Sequence, residues 1–551
     1  MIVPGYNSAS IVTSLGTLRF KIADEAAEFE QIFALGYETF VEEIPQHTPN
    51  GDRRHVDKFH EQNTYIIAKQ GEDLIGMIVL RGERPFSLDQ KLGNVDGYLP
   101  PGRSVCELRL LAVRPEHRKG RVFKGLVDGL VREGRKRGYD LAVISGTLRQ
   151  EKLYRHLGFV PFGPRVGTDE APFQPMYITF EDFLDTAPAA AGEPASFLPG
   201  PVPLADPVRR AFERAPAYHR DQRFREEFSR TRARLSALVG APNVQILLGS
   251  GTLANDAVAA QISLLDAPGV VISNGEFGER LIDQSRRMRL EHTAVSFGWG
   301  ERIDLARVKR VVESSGARWI WAVAGETSTG MLNDVGALKA LARDRNLALC
   351  LDCVSVVGAV PLDLSDVFMA SGASGKALAS FPGLSFVFHA EEVVPQPKRL
   401  PRYLDIGYYA EKCGIPFTHS SNLIAALDAA LERFDTPAPF EEIATRSRWL
   451  RAQLREAGMP TLVCDECATP AVVTIPFDGL GSASAVGDAL QQRGLLVAYH
   501  SEYLARRNWL QIGLMGRILP EHLDRLVQVL KVVVARERVT HPANADLPLR
   551  D

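Results

Sequence analysis

Six cysteines in 551 residues are too few for a disulfide framework. Apolar runs long enough to span a bilayer are missing too: the longest, Leu347 to Leu362, is interrupted by Asp352. Net charge is nearly absent, because 64 basic and 67 acidic residues leave −3. That balance excludes a strong overall field drawing the chain to nucleic acid. The basic cluster Arg132 to Arg137 follows a helical pattern and reads as a solvated face. The opening MIVPGYNSASIVTSLG lacks the basic and apolar regions of a secretory signal, so a cytoplasmic protein is expected. Two CxxC spacings occur, Cys350/Cys353 and Cys464/Cys467. Neither is expected to hold a metal: strand alternation sends the first two thiols to opposite faces, and the second pair has no obvious partner.

What the sequence does contain is ordinary globular material, 45% apolar and 24% charged, too long for one hydrophobic core. The small, Ala/Pro-rich segment at residues 185–196 has no periodicity and reads as a linker. It separates a domain over 1–184 from one over 197–551. In the first, TLRFKIA reads as a strand and Asp24 as the cap of a helix whose apolar residues run from Phe29 to Val41. A hairpin turning at Gly71 follows, then the strand VCELRLLAV and a helix over 122–137. In the second, VQILL, VVISN, WIWAV and LALCLD alternate with amphipathic helices. The expected fold is therefore α/β, with a mostly parallel sheet covered on both faces and a smaller C-terminal α/β lobe.

Three pieces of the second domain carry chemistry. Gly249-Ser250-Gly251-Thr252 joins a strand to a helix, where backbone N–H groups and the helix end favour an anion. Asp352 ends an apolar strand, where ligands bind in open α/β sheets. Lys376 sits in the Gly/Ser-rich SGASGKAL; Ala370 and Ala377 deny this the pattern of an ATP phosphate loop. In that order, with FLPGPVPL, PAYHRDQRF, NGEFGERL, GETSTGMLND, LDCVSVVGAVPLDL and IGLMG, the pieces resemble the class V aminotransferases of PLP fold type I. Within these the likeness is to alanine–glyoxylate and 2-aminoethylphosphonate–pyruvate aminotransferases.

The resemblance implies pyridoxal 5'-phosphate on Lys376 as the Schiff-base lysine, with Asp352 on the pyridine nitrogen. It implies Val354 and Phe277 on the two ring faces and Thr327 near the ring hydroxyl. Ser250, Gly251, Thr252 and Ser374 would hold the phosphate. A homodimer is implied, with Thr418 reaching the phosphate from the other copy. Two departures stand out. Gly375 replaces a glutamine before the lysine. Gln511 replaces the arginine that clamps a substrate carboxylate, and an amide cannot form the same charge-assisted pair. Arg506, Arg507 and Arg517 are the nearby arginines that would have to substitute.

In the first domain ELRLLAV, RPEHRKGR and YRHLGF resemble the GNAT acyltransferases, which lay a pantetheine thioester between two splayed strands. The loop Arg118 to Phe123 is degenerate for a CoA pyrophosphate. GYETFVEE, HVDKFHEQNTYIIA and VCELRLLAV give a narrower resemblance, to acyl-homoserine-lactone and long-chain N-acyl amino acid synthases. That implies an acyl-ACP or acyl-CoA donor, with Arg118, Lys119, Arg121 and Lys124 placed to dock an acidic carrier protein. Glu107 is the candidate base and Tyr154 the candidate acid for the departing thiolate.

The expected function is thus bifunctional: an aminotransferase forming an amine, and an N-acyltransferase. The alternative is a PLP-dependent lyase or decarboxylase whose N-terminal domain only binds a carrier protein or thioester.

Overall fold

The computed structural model describes residues 9–13, 16–44, 47–118, 121–167, 172–180, 182–183 and 194–540. Contacts divide the chain into two compact units, Met1–Glu193 and Pro194–Asp551. Ala195 and Ser196, read above as linker, instead form a short strand beside Leu495–Leu496. The cause is Phe197, which is fully buried and draws the preceding backbone in with it.

The strands of the first unit are β1 (Ala9–Thr13), β2 (Gly16–Ile22), β3 (Thr64–Gln70), β4 (Asp73–Arg81), β5 (Val105–Val113), β6 (Leu141–Thr147), β7 (Val160–Pro161), β8 (Val166–Gly167) and β9 (Pro172–Thr179). They form one sheet in the order β1-β2-β3-β4-β5-β6-β9-β7, with β8 also on β9. The helices include α1 (Ala26–Tyr37), α2 (Arg121–Lys136) and α3 (Glu151–His156), with a short helix over Ser87–Leu92 between β4 and β5. Alternation decides what each face of the sheet buries. Tyr65 and Ile67 of β3 pack with Ile32 and Phe33 of α1, whereas Ile66 and Ala68 pack with Val122, Leu126 and Leu130 of α2. Asp24 does not cap α1, because Lys21 takes its carboxylate at 2.5 Å. Glu25 takes the N-cap position instead, and the Glu28 carboxylate accepts from its N–H and from that of Asp24. The helix also ends earlier than its apolar pattern, passing into a π-turn over Glu38–Glu43.

One junction in this sheet differs from the rest. β5 and β6 are parallel, and they pair only through Val105↔Leu141, Cys106↔Ala142 and Glu107↔Val143. Beyond Glu107, β5 continues on β4 alone and β6 on β9 alone. The strands part there, and Leu110 takes a left-handed backbone (φ 48°) at an irregular β4–β5 register.

The second unit contains β10 (Ala195–Ser196), β11 (Asn243–Leu248), β12 (Gly269–Ser273), β13 (His292–Ser296), β14 (Trp319–Val323), β15 (Gly325–Glu326), β16 (Met331–Leu332), β17 (Ala348–Asp352), β18 (Met369–Ala373), β19 (Leu384–His389), β20 (Val472–Pro476), β21 (Leu495–Leu496) and β22 (Trp509–Gly513). Its main sheet runs β11-β19-β18-β17-β14-β12-β13. Only β19 opposes its neighbours, so the sheet is mostly parallel. Cys350 and Cys353 fall into separate core clusters on the two faces. The small C-terminal lobe holds the antiparallel pair β20–β22. Among the described residues no helix is long and apolar enough to cross a membrane.

The carboxyl ends of β11, β12, β14, β17 and β18 share one edge of the main sheet. The loops leaving that edge include α4 (Gly251–Ile262) and α5 (Glu276–Arg287). This is where open parallel sheets place ligands.

Candidate active sites

At the edge of the main sheet, Asp352 is the last residue of β17 and is 6% exposed. Its carboxylate accepts from the Val354 N–H at 2.9 Å and from Asn255 Nδ2 at 2.8 Å. Burial pushes its pKa up, against these two hydrogen bonds and the nearby Lys376 charge. Lys376, two residues past the Ser374 that opens the turn after β18, is half-buried and donates to the Pro199 carbonyl at 2.9 Å. Burial lowers its pKa; Asp352 opposes that shift and Arg280 adds to it. Room for the amine depends on Gly200, whose φ of +149° and missing side chain leave a space. A Cβ there would stand 2.7 Å from Lys376 Nζ.

α4 begins beside this pair. Ser250 occupies its N-cap position, yet the hydroxyl makes no capping bond, so the first N–H groups of the helix face outward uncapped. Ser250 and Thr252 are exposed. Gly251 is buried against Val354, where an added Cβ would meet Val354 Cγ2 at 2.7 Å. An uncapped helix end, a buried acid and a half-buried amine form the donor set that PLP requires for its phosphate, ring nitrogen and aldehyde. The residues present fit the cofactor. Val354 and Phe277, expected on the two ring faces, are each half-buried. Thr327 is 3% exposed and its hydroxyl donates to Ser355.

Two expectations change. The Ser374 hydroxyl is fully buried and donates to the Phe381 carbonyl at 2.6 Å. It therefore pins the Lys376 loop to β19's entry and has no free proton for a phosphate. Gln511 of β22 is likewise 0% exposed. Its Nε2 lies 2.7 Å from the Thr327 carbonyl, 2.8 Å from the Ser328 carbonyl and 2.9 Å from Thr474 Oγ1. Its Oε1 accepts from Tyr503 at 3.1 Å. The amide knits the floor of the site and is spent before any substrate arrives. Gln511→Leu strands those partners and is expected to cost about 1–3 kcal/mol in urea denaturation.

The three arginines considered as replacements are committed elsewhere. Arg506 faces Glu502 at 3.6 Å, Arg517 faces Asp206 at 3.4 Å, and Arg507 lies 3.9 Å over the Trp299 ring. The sequence reading missed Glu326 and Asn255. Glu326 is a fully buried carboxylate that accepts from the N–H groups of Phe277, Gly278 and Ser328 and so sets the angle of α5. The signal for it was a lone acid inside GETSTG. Asn255 lies one helical turn after Gly251 and so shares its face. Thr418 is exposed on the segment before Ser420.

In the first unit, Glu107 lies where β5 and β6 part, and it is 1% exposed. Ser87 donates to it from both its N–H (3.0 Å) and its hydroxyl. Across β4–β5 it is paired with Arg81, and Arg109 follows two residues on, so the three share one face. Tyr154 of α3 is half-buried with its ring 2.9 Å from the Cβ position of Gly146 on β6. Burial raises its pKa, so the phenol keeps its proton through the neutral range. In the basic loop, Lys119 and Gly120 lie outside the described residues. Arg118 is bound through both terminal nitrogens to Glu43, whereas Arg121 and Lys124 of α2 are exposed.

Residues 31–178 match the family model described as N-acyl amino acid synthase FeeM, and residues 210–400 match aminotransferase class-V. The chain joins an N-acyl amino acid synthase domain to a class V aminotransferase domain. It is a bifunctional enzyme, an aminotransferase and an N-acyltransferase, and its class V fold implies PLP. The 2-aminoethylphosphonate–pyruvate transaminase of Syntrophobacter fumaroxidans is 25% identical over 360 residues, 61% of this chain and 95% of that one. The 42 kDa subunit of a soluble hydrogenase from Anabaena cylindrica is 28% identical over 358 residues, 61% of this chain and 92% of its own. The solved alanine–glyoxylate aminotransferase of Nostoc sp. is 25% identical, with a TM-score of 0.57, covering 62% of this chain and 96% of that one.

Proposed function

We propose that the aminotransferase half exchanges an amino group between a carbonyl compound and a primary amine with no carboxylate on its amino carbon. The synthase half, in this reading, forms an amide from a thioester on an acyl carrier protein. Gln511 carries the first part: a buried, fully bonded amide stands where the resemblance calls for a carboxylate-clamping arginine.

PLP, when bound, supplies an electron sink for the carbon that carries the amino group. Lys376 would hold the cofactor and supply the amine that moves the proton at that carbon. Asp352 fixes the proton of the ring nitrogen, and Thr327 stands by the ring hydroxyl. Phe277 and Val354 would hold the ring. Ser250, Gly251 and Thr252 would hold the phosphate at the start of α4, and in a homodimer Thr418 of the second copy would complete that shell.

The test is spectroscopic. The PLP-loaded protein is offered amines with and without an α-carboxylate, and loss of the yellow band is followed. Loss with carboxylate-free amines is expected; loss with α-amino acids alone overturns the reading.

In the synthase half, the parted β5 and β6 form a GNAT-like slot for the thioester arm. Glu107 takes the proton of the attacking amine as the C–N bond forms, and Tyr154 protonates the thiolate released as the C–S bond breaks. Exposed Arg121 and Lys124 supply the docking charge for an acidic carrier. Arg121→Glu with Lys124→Glu is expected to raise KM for acyl-ACP about tenfold and to flatten its salt dependence, with acyl-CoA turnover unchanged.

A further inference from the structure

The second CxxC pair takes no part in either reaction. Cys464 is exposed, Cys467 is part-buried, and both thiols are free. The residues between them form a tight turn, closed by the Cys467 N–H on the Cys464 carbonyl at 3.3 Å. A turn of this kind brings its first and fourth Cα atoms within about 7 Å. A disulfide spans about 4.4–6.8 Å between Cα atoms, so the bond can form without moving the backbone far.

The two sulfurs have different surroundings. Arg302 Nη2 lies 3.6 Å from Cys464 Sγ. Asp465, next in the chain, is taken up by Arg451 at 2.6 Å and Arg455 at 2.9 Å. Its own backbone N–H and the Cys464 thiol hold the exposed Glu466 carboxyl below its usual range. Burial and the adjacent Cys464 thiol hold Cys467 above the ordinary cysteine range, with Arg302 opposing. A cleft of about 450 Å³ opens beside Cys464, lined by Arg455, Met459, Thr461 and Asp465, and leaves room for a small molecule.

The turn is also laced to the aminotransferase site. Directly after Cys467, Ala468 bridges Met331, and the Thr469 N–H donates to the Gly330 carbonyl at 2.9 Å. Met331 pairs with Glu326 in the β15–β16 hairpin, which turns through Thr327 and Ser328. A bond closed across 464–467 therefore acts on the segment that holds this hairpin.

We propose that Cys464 and Cys467 form a thiol–disulfide exchange site for small organic disulfides, and that the oxidised turn slows amino-group exchange. The Cys464 sulfur attacks one sulfur of the reagent, with Arg302 facing the charge it carries. The reagent's S–S bond breaks, and one thiol leaves with the proton that Cys464 gave up. The Cys467 sulfur then attacks Cys464, forming the intramolecular bond and releasing the second thiol with the Cys467 proton. The two protein thiols lose two electrons, and the reagent is reduced to two thiols. The exchange site stands apart from both active-site readings; its effect on activity rests on the place given to Thr327.

The test equilibrates the full-length, PLP-loaded enzyme in buffers of reduced and oxidised glutathione. Alkylation read by mass, and amino-group exchange, are measured on the same samples. Cys464 and Cys467 are expected to lose alkylation together, and exchange to fall by at least about fivefold at the same midpoint. Dithiothreitol restores both. Cys464→Ser and Cys467→Ser keep the rate of the reduced enzyme and lose the sensitivity. Cys467→Ser also traps one glutathione on Cys464, because the second attack is missing. Cys413→Ser removes another exposed thiol and responds as the wild type does. No bond between 464 and 467 in the most oxidising buffer overturns the site. A bond that leaves exchange unchanged overturns the coupling. Exchange absent from the fully reduced wild type with every amine overturns the substrate reading above, and the alkylation pattern still decides the site.

Discussion

Lys376→Ala lowers amino-group exchange by about 10⁴-fold while amide formation continues at the wild-type rate. The size of the effect follows from the double duty of one nitrogen, which both anchors the cofactor and moves the proton. Borohydride reduction followed by mass measurement reads the first duty directly: the wild-type chain gains the mass of the cofactor and the variant does not. The pH dependence has a definite sign. Only the neutral amine bonds to the aldehyde, and burial together with Arg280 holds the Lys376 pKa below the ordinary lysine value. Loading therefore survives to lower pH than an exposed lysine permits and is lost as pH falls through that depressed value. Asp352→Asn removes the group that opposes the depression. The acid limb of loading then moves to still lower pH, and exchange slows because the ring nitrogen has lost its partner. Equal loading of the wild type and the Lys376 variant would remove the assignment.

Glu107→Gln stops amide formation by about 10²–10⁴-fold and leaves amino-group exchange intact. The glutamine retains the volume of the glutamate and accepts the Ser87 N–H through its one oxygen while its amide donates to the Ser87 hydroxyl, but it does not take a proton. It also removes the anion that faces the buried Arg81 and the partly buried Arg109, each 4.0 Å away. Breaking a buried charge pair costs up to about 3–5 kcal/mol, so a lower melting temperature accompanies the lost rate. The two consequences separate in an acceptor titration. Loss of base function lowers kcat at saturating acceptor and donor, whereas the lost charge pair alone lowers the melting temperature and leaves kcat in place. A variant that melts lower but forms amide at full rate would make Glu107 a structural residue.

Much of this was legible in the chain because local pattern and chemistry coincided. Asp352 closes an apolar run, Lys376 follows a strand in a Gly/Ser loop, and Ser250 to Thr252 precede a helix; each names its place in a parallel sheet. Gln511 stood out for the same reason, as a neutral residue in an otherwise matching motif. What stayed hidden depends on register and burial. The exchange of Asp24 for Glu25 as the cap of α1 turns on Lys21, a competitor one strand back. Ser374 looked like a phosphate ligand until its hydroxyl was seen to close the Lys376 loop. Arg81 gave no signal at all, since an arginine at the end of a hairpin strand reads as surface. The β4–β5 register sets it against Glu107, and Phe59 stacks over its guanidinium.

The parting of β5 from β6 after three residue pairs has a kinetic signature. From Leu108 onward, the side of β5 turned toward β6 has no ladder to close it, so its amide hydrogens exchange with solvent deuterium faster than those pairing with β4. In the thioester-slot reading proposed above, the amides of a donor arm would lie along that bare margin as a missing strand would. Slowed exchange confined to the stretch after Glu107, on adding acyl donor but not amine, would report the enzyme completing its sheet with its substrate.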